Sequence, residues 1–392
     1  MRGGPLAGIS IVELGGIGPA PFAGMVLSDL GADVIRIDRV AGLPEEEAAT
    51  HTVLLRGRRS VGIDLKQPQG RDLALALISR ADGVIEGFRP GVAERLGLGP
   101  DTALEHNPSL VYGRMTGWGQ DGPLAPTAGH DINYIAVSGA LEPISAGGGS
   151  PTPPLNMLGD FGGGAMFMVA GMLAALLSVR AGGQGQVVDA AIVDGTALMT
   201  AMHRSMMEAG LWSAPRGGNL FDGGAPYYGV YPTADRKWMA VGAIEPKFYA
   251  ELLIGLGLDG DIDAAEQTDP RVWPAVRARF AARFAERTRA EWEQVFAGLD
   301  ACVSPVIAPH EVTENEHLRA RGTYTVRDGT VQPSPAPRFS VTRVDGVREQ
   351  SAPGAHTGEV LAELGLDADT LWALVASETV HSSAAPQRAP RR

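Results

Sequence analysis

The chain has 392 residues, 44% of them hydrophobic and 20% charged, enough for two domains or one large one and too apolar for a disordered chain. Its net charge of −12 excludes a general nucleic-acid binder, which shows a broad basic face, yet leaves room for a local basic pocket that takes a small polyanion. A single cysteine, Cys302, a start (MRGGPLAGIS) with no apolar signal core and an end (PQRAPRR) unlike a peroxisomal tripeptide give the expectation of a cytoplasmic protein whose fold does not rely on disulfides.

The N-terminal part alternates strand and helix. Residues 9–14 (ISIVEL) read as a strand ended by glycines, 21–30 as a helix with Gly31 at its C′ position, and 32–38 as a second strand. A third strand is expected over 60–64, and Pro68 opens a helix that runs through Arg80 with Leu73, Leu75, Leu77 and Ile78 on its apolar side. Strands over 83–87 and 110–115 follow. Such alternation predicts an α/β domain with a Rossmann-like parallel sheet covered on both faces.

Residues 116–160 are rich in Gly and Pro and read as loop. The uncharged stretch 161–179 is about long enough to span a bilayer. Asp160 and Arg180 bracket it tightly, it has no Trp or Tyr belt, and it leads at once into the strand-like QVVDAAIV, so a helix buried in the core is expected rather than a membrane span. A helical pattern over 195–209 closes this part. A glycine-rich loop, a strand, a turn at 233–236, a second strand and helical segments over 246–256 and 272–299 then describe a smaller α+β domain. Helices over 357–364 and 367–375 end the chain. The predicted division is a large domain over 1–200, a linker over 201–224, a small domain over 225–310, a linker over 311–332, a return to the large domain over 333–378 and a disordered tail over 379–392.

Several motifs carry competing readings. Gly16-x-Gly18 after the first strand, with Asp38 ending the second, outlines a dinucleotide fingerprint, but its third glycine falls on Pro21, and Pro19 and Pro21 remove two N–H donors from the turn. The topology is expected to hold and the dinucleotide is not. Arg36, Arg39, Arg56, Arg58, Arg59, Lys66 and Arg89 lie near the C-terminal ends of strands; phosphate binding and ordinary ion pairing are equally compatible with that spacing. In GHDINY, His130 is either a general base or a bystander in a helix-capping loop with Asp131 as N-cap. Asp160, at the start of the apolar helix, is either a cap or a carboxylate whose pKa desolvation raises. Glu245 precedes Pro246 at a helix start, where a negative charge is favourable with or without a function. His203 reads as a core or linker residue. The sequence contains no HExxH, paired CxxC, Walker A loop or GxSxG elbow.

Taken in order, VELGGIGPAPFAGMVLSDLGADVIRIDR, RGRRSVGIDLKQPQG, AGHDINYIAVSGAL, GDFGGG, GQVVDAAIVDGTA, APRGGNLFDGGAPYY and MAVGAIEPKFY resemble the family III CoA-transferases over nearly the whole chain. The resemblance implies a large α/β domain, a smaller domain and long linkers, with two chains interlocked as a homodimer. His130 and Asp160 match the paired bases of the family's racemase branch, and Glu245 matches a residue expected to orient the histidine, across the subunit boundary. The positions implied for CoA are Arg39, Ile63, Asp64, Leu65, Lys66, Arg89, and the loop Gly129, Asp131, Ile132, Asn133 and Tyr134 around His130. The implied activity is inversion of the α-carbon of 2-methylacyl-CoA thioesters, with no cofactor beyond the CoA of the substrate. The transferase branch implies instead that the Asp160 position is a nucleophile; its members usually carry an aromatic residue at the position of His130. An enolate is expected to meet backbone N–H groups at the start of the Asp160 helix. Met157, Met166, Met206 and Met207 are candidates for an adaptable acyl-binding surface, with core packing as the plainer alternative.

Overall fold

The computed structural model describes residues 3–40, 53–145, 148–212, 214–327, 329–346 and 348–383. They form two compact units, one from the described residues of Met1–Ser138, Leu155–Met199 and Ala320–Arg392, the other from those of Gly139–Pro154 and Thr200–Arg319. The segment 139–154, expected within the large domain, groups with the second unit.

In the first unit, six strands, β1 (Ser10–Leu14), β2 (Asp33–Asp38), β3 (Arg59–Ile63), β4 (Gly83–Glu86), β5 (Val111–Thr116) and β6 (Gln186–Ala191), form a parallel sheet in the order β3-β2-β1-β4-β5-β6. The Rossmann-like parallel sheet expected is thus present in a doubly wound order, whose strand sequence reverses between β1 and β4. Both faces are covered. Leu14, Ile37 and Val61 pack toward the helix α2 (Pro68–Ile78) and the helix Thr357–Glu363. Ile11, Val34 and Val111 pack toward α1 (Pro19–Asp29) and the long apolar helix. Val380–His381, placed in a disordered tail by the sequence, instead adds an antiparallel strand to the edge, pairing Val380 with Ile63. Two residues are too few to show a strand pattern in the sequence. The remainder of the predicted tail, 384–392, lies outside the described residues.

Pro19 occupies the first turn of α1 and fixes its start, while Gly31, at φ +106°, ends it. Beneath α1 the sheet carries charge: Glu13 is fully buried and pairs with Arg58 at 3.0 Å. Gly24 of α1 lacks the Cβ that would collide with that carboxylate.

The apolar helix begins as a π-helical run over Met157–Met166 and continues as an α-helix, here α4 (Phe167–Arg180). The whole run is long and apolar enough to cross a membrane, a criterion that the core helix of a soluble protein also meets. One face packs on β5, where Gly113 leaves room for Met168, while Met166 and Leu177 are exposed; the helix is thus buried on one face rather than all round. The predicted helix over 195–209 is two helices, α5 (Ile192–Met199) and one over Ala201–Glu208.

The second unit holds an antiparallel sheet of β7 (Tyr228–Pro232), β8 (Trp238–Gly242) and β9 (Val303–Pro305). Its core is aromatic, with Tyr231 stacked on Phe284 at 5.1 Å between ring centres. The segment expected as one helix over 272–299 is Trp273–Phe284 and Arg289–Phe296. Thr288 and Glu291 form a reciprocal capping box that starts the second helix afresh.

Candidate active site

A cleft of about 460 Å³ opens at the point where the sheet order reverses, where open α/β sheets bind ligands. The turn after β1 supplies Ile17 and Gly18, the loop after β4 supplies Phe88 and Arg89, and the segment after β5 supplies Gly117 and Trp118. Gly129, His130 and Tyr134 complete one wall, and Asp160 another.

Each wall has a local cause. His130 is the N-cap of α3 (Asp131–Val137), and its backbone N–H donates to Asn133 Oδ1 at 3.0 Å. Asp131, expected as the cap, is instead the first helical residue and is buried. Tyr134, one turn on, packs edge-on against Trp118 at 4.8 Å and donates its hydroxyl proton to the Gly129 carbonyl. Gly117 and Gly129 carry no Cβ where one would meet the Tyr134 ring. The loop holding Arg89 is fixed from beneath: Glu86 accepts from the Phe88 N–H at 2.7 Å and from Arg114 Nε at 2.9 Å.

Asp160 lies in the first turn of the π-helical run. Phe161, its neighbour, stacks on Phe22 of α1 at 4.5 Å. Gly163 faces Gly195 of α5 so closely that neither tolerates a side chain. Gly18, at φ +71°, brings the β1–α1 turn against the Asp160 carboxylate. Asp160 does not cap its helix. Its own N–H donates to Asp131 Oδ2 at 2.7 Å, and its Oδ2 accepts from Asn156 Nδ2 at 3.4 Å. Of the backbone N–H groups at the start of this helix that were expected to meet an enolate, that of Asp160 is already engaged.

Burial pushes the Asp160 carboxyl above its ordinary value; the hydrogen bond from Asn156 opposes this, the charge of Asp131 adds to it, and His130 opposes it. Burial likewise raises the Tyr134 phenol, reinforced by Asp160 and opposed by Arg89. The cleft thus contains an imidazole, a carboxyl with enhanced proton affinity and a cation. A set of this kind suits proton transfer next to an anionic or polarised ligand.

The sequence profile of CoA-transferase family III matches residues 6–357. The chain belongs to this family. It is 44% identical over 380 residues, covering 96% of this chain and 98% of the relative, to a Mus musculus protein called alpha-methylacyl-CoA racemase. The Homo sapiens protein of that name is 43% identical over the same shares of both chains. Succinyl-CoA--D-citramalate CoA-transferase of Chloroflexus aurantiacus is 35% identical over 281 residues, 68% of this chain and 67% of the relative. Among solved structures, a CAIB/BAIF family protein from Brucella suis superposes with a TM-score of 0.76 at 25% identity, over 93% of this chain and all of that one.

The family's expected site residues are distributed unevenly. His130, Asp160, Arg89, Gly129 and Tyr134 line the cleft. Ile132 and Asn133 are exposed on α3. Arg39 and Lys66 are exposed beyond β2 and β3, with Asp64 and Leu65 half-buried and Ile63 in the core. Asp64 accepts from the Lys66 N–H at 3.0 Å. Glu245 is exposed at the N-cap of the helix Pro246–Leu256 in the second unit. The basic cluster divides. Arg36, Arg56, Arg58 and Arg59 are committed to Asp38, Asp29, Glu13 and Asp33 respectively, so they are structural ion pairs, and Arg39, Lys66 and Arg89 remain as exposed cations. Trp118, Phe88 and Asn156 were not singled out in the sequence. The first two follow the C-terminal ends of β5 and β4, the rim on which such a sheet presents its ligand, and that position was the available signal.

Proposed function

We propose that this enzyme inverts C2 of 2-methylacyl-CoA thioesters. The observation that carries the reading is the pairing of His130 with Asp160 in one cleft at the reversal point of the sheet. The named mouse and human relatives support it at full chain length.

The α-hydrogen of a thioester is acidic because the carbanion delocalises onto the carbonyl as an enolate. Racemisation needs a base on each face of that carbon. One of His130 and Asp160 removes the proton and the other, protonated, returns it to the opposite face; the roles exchange with the direction of reaction. Positioned groups of this kind each contribute ~10²–10⁴-fold. The raised proton affinity of Asp160 favours it as a proton carrier between the two states.

Arg89 is assigned to the CoA moiety, with Arg39, the run from Ile63 to Lys66, and Gly129, Ile132, Asn133 and Tyr134 as further contacts; Asp131, first expected among them, is left out because its side chain is buried and holds the Asp160 N–H. Glu245 is assigned to orient His130 from a partner subunit in a homodimer. No cofactor is required, since CoA is part of the substrate.

The test is incubation of one C2 epimer with the enzyme alone, followed by chiral chromatography. Conversion to a mixture of epimers is expected. An unchanged epimer, with CoA passing to an added dicarboxylic acid, would establish a CoA-transferase acting through Asp160.

A further inference from the structure

We propose that Asp131 is a positioning residue for Asp160, holding the backbone of that base from the first residue of α3; this rests on the reading of Asp160 as a catalytic base. Asp131 is about one-twentieth exposed, so its carboxylate is withdrawn from any ligand in the cleft. Oδ2 accepts the Asp160 N–H at 2.7 Å. Oδ1 is buried with no hydrogen-bond partner among the described residues.

The arrangement follows from helix geometry. Asp160 is the fourth residue of the π-helical run, and the first residues of any helix have N–H groups with no acceptor inside it. A buried N–H without a partner is costly. Asp131 supplies the acceptor, and Gly159 makes the approach feasible: a Cβ there would lie 2.5 Å from Asp131 Oδ2 and 3.0 Å from Ile135 Cγ2. The residue before Asp131 is His130 itself, so one helix start carries the first base and grips the backbone of the second. This junction ties the backbones of the two bases directly to each other.

The charge of Asp131 acts on the same site. The groups facing Asp160 are Asn156 from its own segment, His130 and Asp131 from the α3 start, and Tyr134, itself neighboured by Arg89. Among them Asp131 is the one that adds negative charge, and it raises the proton affinity of Asp160.

Two variants separate the contributions. Asp131→Asn keeps an acceptor oxygen and removes the charge; Asp131→Ala removes both. For Asp131→Asn, kcat is expected to fall about tenfold and the acid limb of kcat/KM to move to lower pH. For Asp131→Ala, kcat is expected to fall about a hundredfold, the scale of a misplaced catalytic group, with the limb moved likewise. In both, the affinity for free CoA, measured by calorimetry, stays at the wild-type value. Gly159→Ala, which leaves every charge in place, should lower kcat with CoA affinity unchanged, and serves where an Asp131 variant fails to fold.

Weakened CoA binding with an unmoved acid limb would make Asp131 a ligand contact and overturn the proposal, as would wild-type kcat and pH profile in all three variants. Asp160→Asn is run in parallel. If it still interconverts the C2 epimers, the underlying reading falls and the proposal with it; if interconversion is lost while the Asp131 and Gly159 variants are unaffected, the proposal alone falls.

Discussion

Arg114 Nε donates to Glu86 at 2.9 Å with both side chains buried, and the other oxygen of that carboxylate accepts the Phe88 N–H at 2.7 Å. A charge pair inside the sheet thereby fixes the loop that carries Arg89 into the cleft. Breaking one partner leaves an uncompensated buried charge. Arg114→Leu is expected to destabilise the fold by ~3–5 kcal/mol, and, in the protein that remains folded, to raise KM for the thioester through a displaced Arg89. Denaturant unfolding and steady-state kinetics check the two effects separately.

Gly18 adopts φ +71° with ψ −122°, a conformation that side chains other than glycine rarely take. Gly18→Ala is expected to cost about 1–3 kcal/mol in backbone strain and to place a methyl against the Asp160 carboxylate. The measurable outcome is a lower Tm together with a lower kcat. An unchanged Tm would show that the turn relaxes readily.

His130→Ala and Asp160→Asn are each expected to lower kcat by ~10²–10⁴-fold, the contribution of one positioned acid–base group. CoA affinity should persist in both, since neither variant touches Arg39, Lys66 or Arg89. Calorimetry with free CoA separates a lost base from a lost binding site.

The raised proton affinity of Asp160 has a consequence for stability. A carboxyl whose pKa is higher folded than unfolded holds its proton longer in the folded state. Its contribution is fully present below the unfolded pKa and is lost as pH rises through the folded pKa. At neutral pH the buried charge is therefore a destabilising element, and Asp160→Asn should raise Tm at pH 7 while narrowing the difference from wild type toward pH 4. An equal Tm difference at both values would contradict the linkage.

The sheet was legible because β1 to β5 are short apolar runs separated by helical patterns, and the strand ends predicted lie within a residue or two of those observed. Pro68 and Pro246 marked helix starts correctly, since a proline at the first helical turn costs nothing. The edge strand Val380–His381 was not legible, because its two residues pair with β3, far along the chain; the hairpin of Tyr324–Arg327 with Thr330–Pro333 is local, but its four-residue strands are too short to show a pattern. The apolar stretch after Asp160 was read as one buried helix. Nothing in GDFGGG discloses that its first turns are π-helical; its glycines pack against Gly195 and Asp131, residues distant in the sequence. His130 and Asp160 were found through the resemblance, and the cleft brings them together. The pairing of Arg56, Arg58 and Arg59 with acids could not be read from spacing, since each partner lies on another strand or helix, whereas Arg36 and Asp38 stand two residues apart on β2.

The most direct test of the two-base account is the early course of the reaction in D₂O, starting from a single C2 epimer of a 2-methylacyl-CoA and following both epimers by mass spectrometry. Proton transfer between opposite faces by His130 and Asp160 predicts that the newly formed epimer carries deuterium at C2 from its first appearance, ahead of the remaining starting epimer. Absence of deuterium from both epimers, with CoA recovered as a covalent adduct on Asp160, would contradict the account.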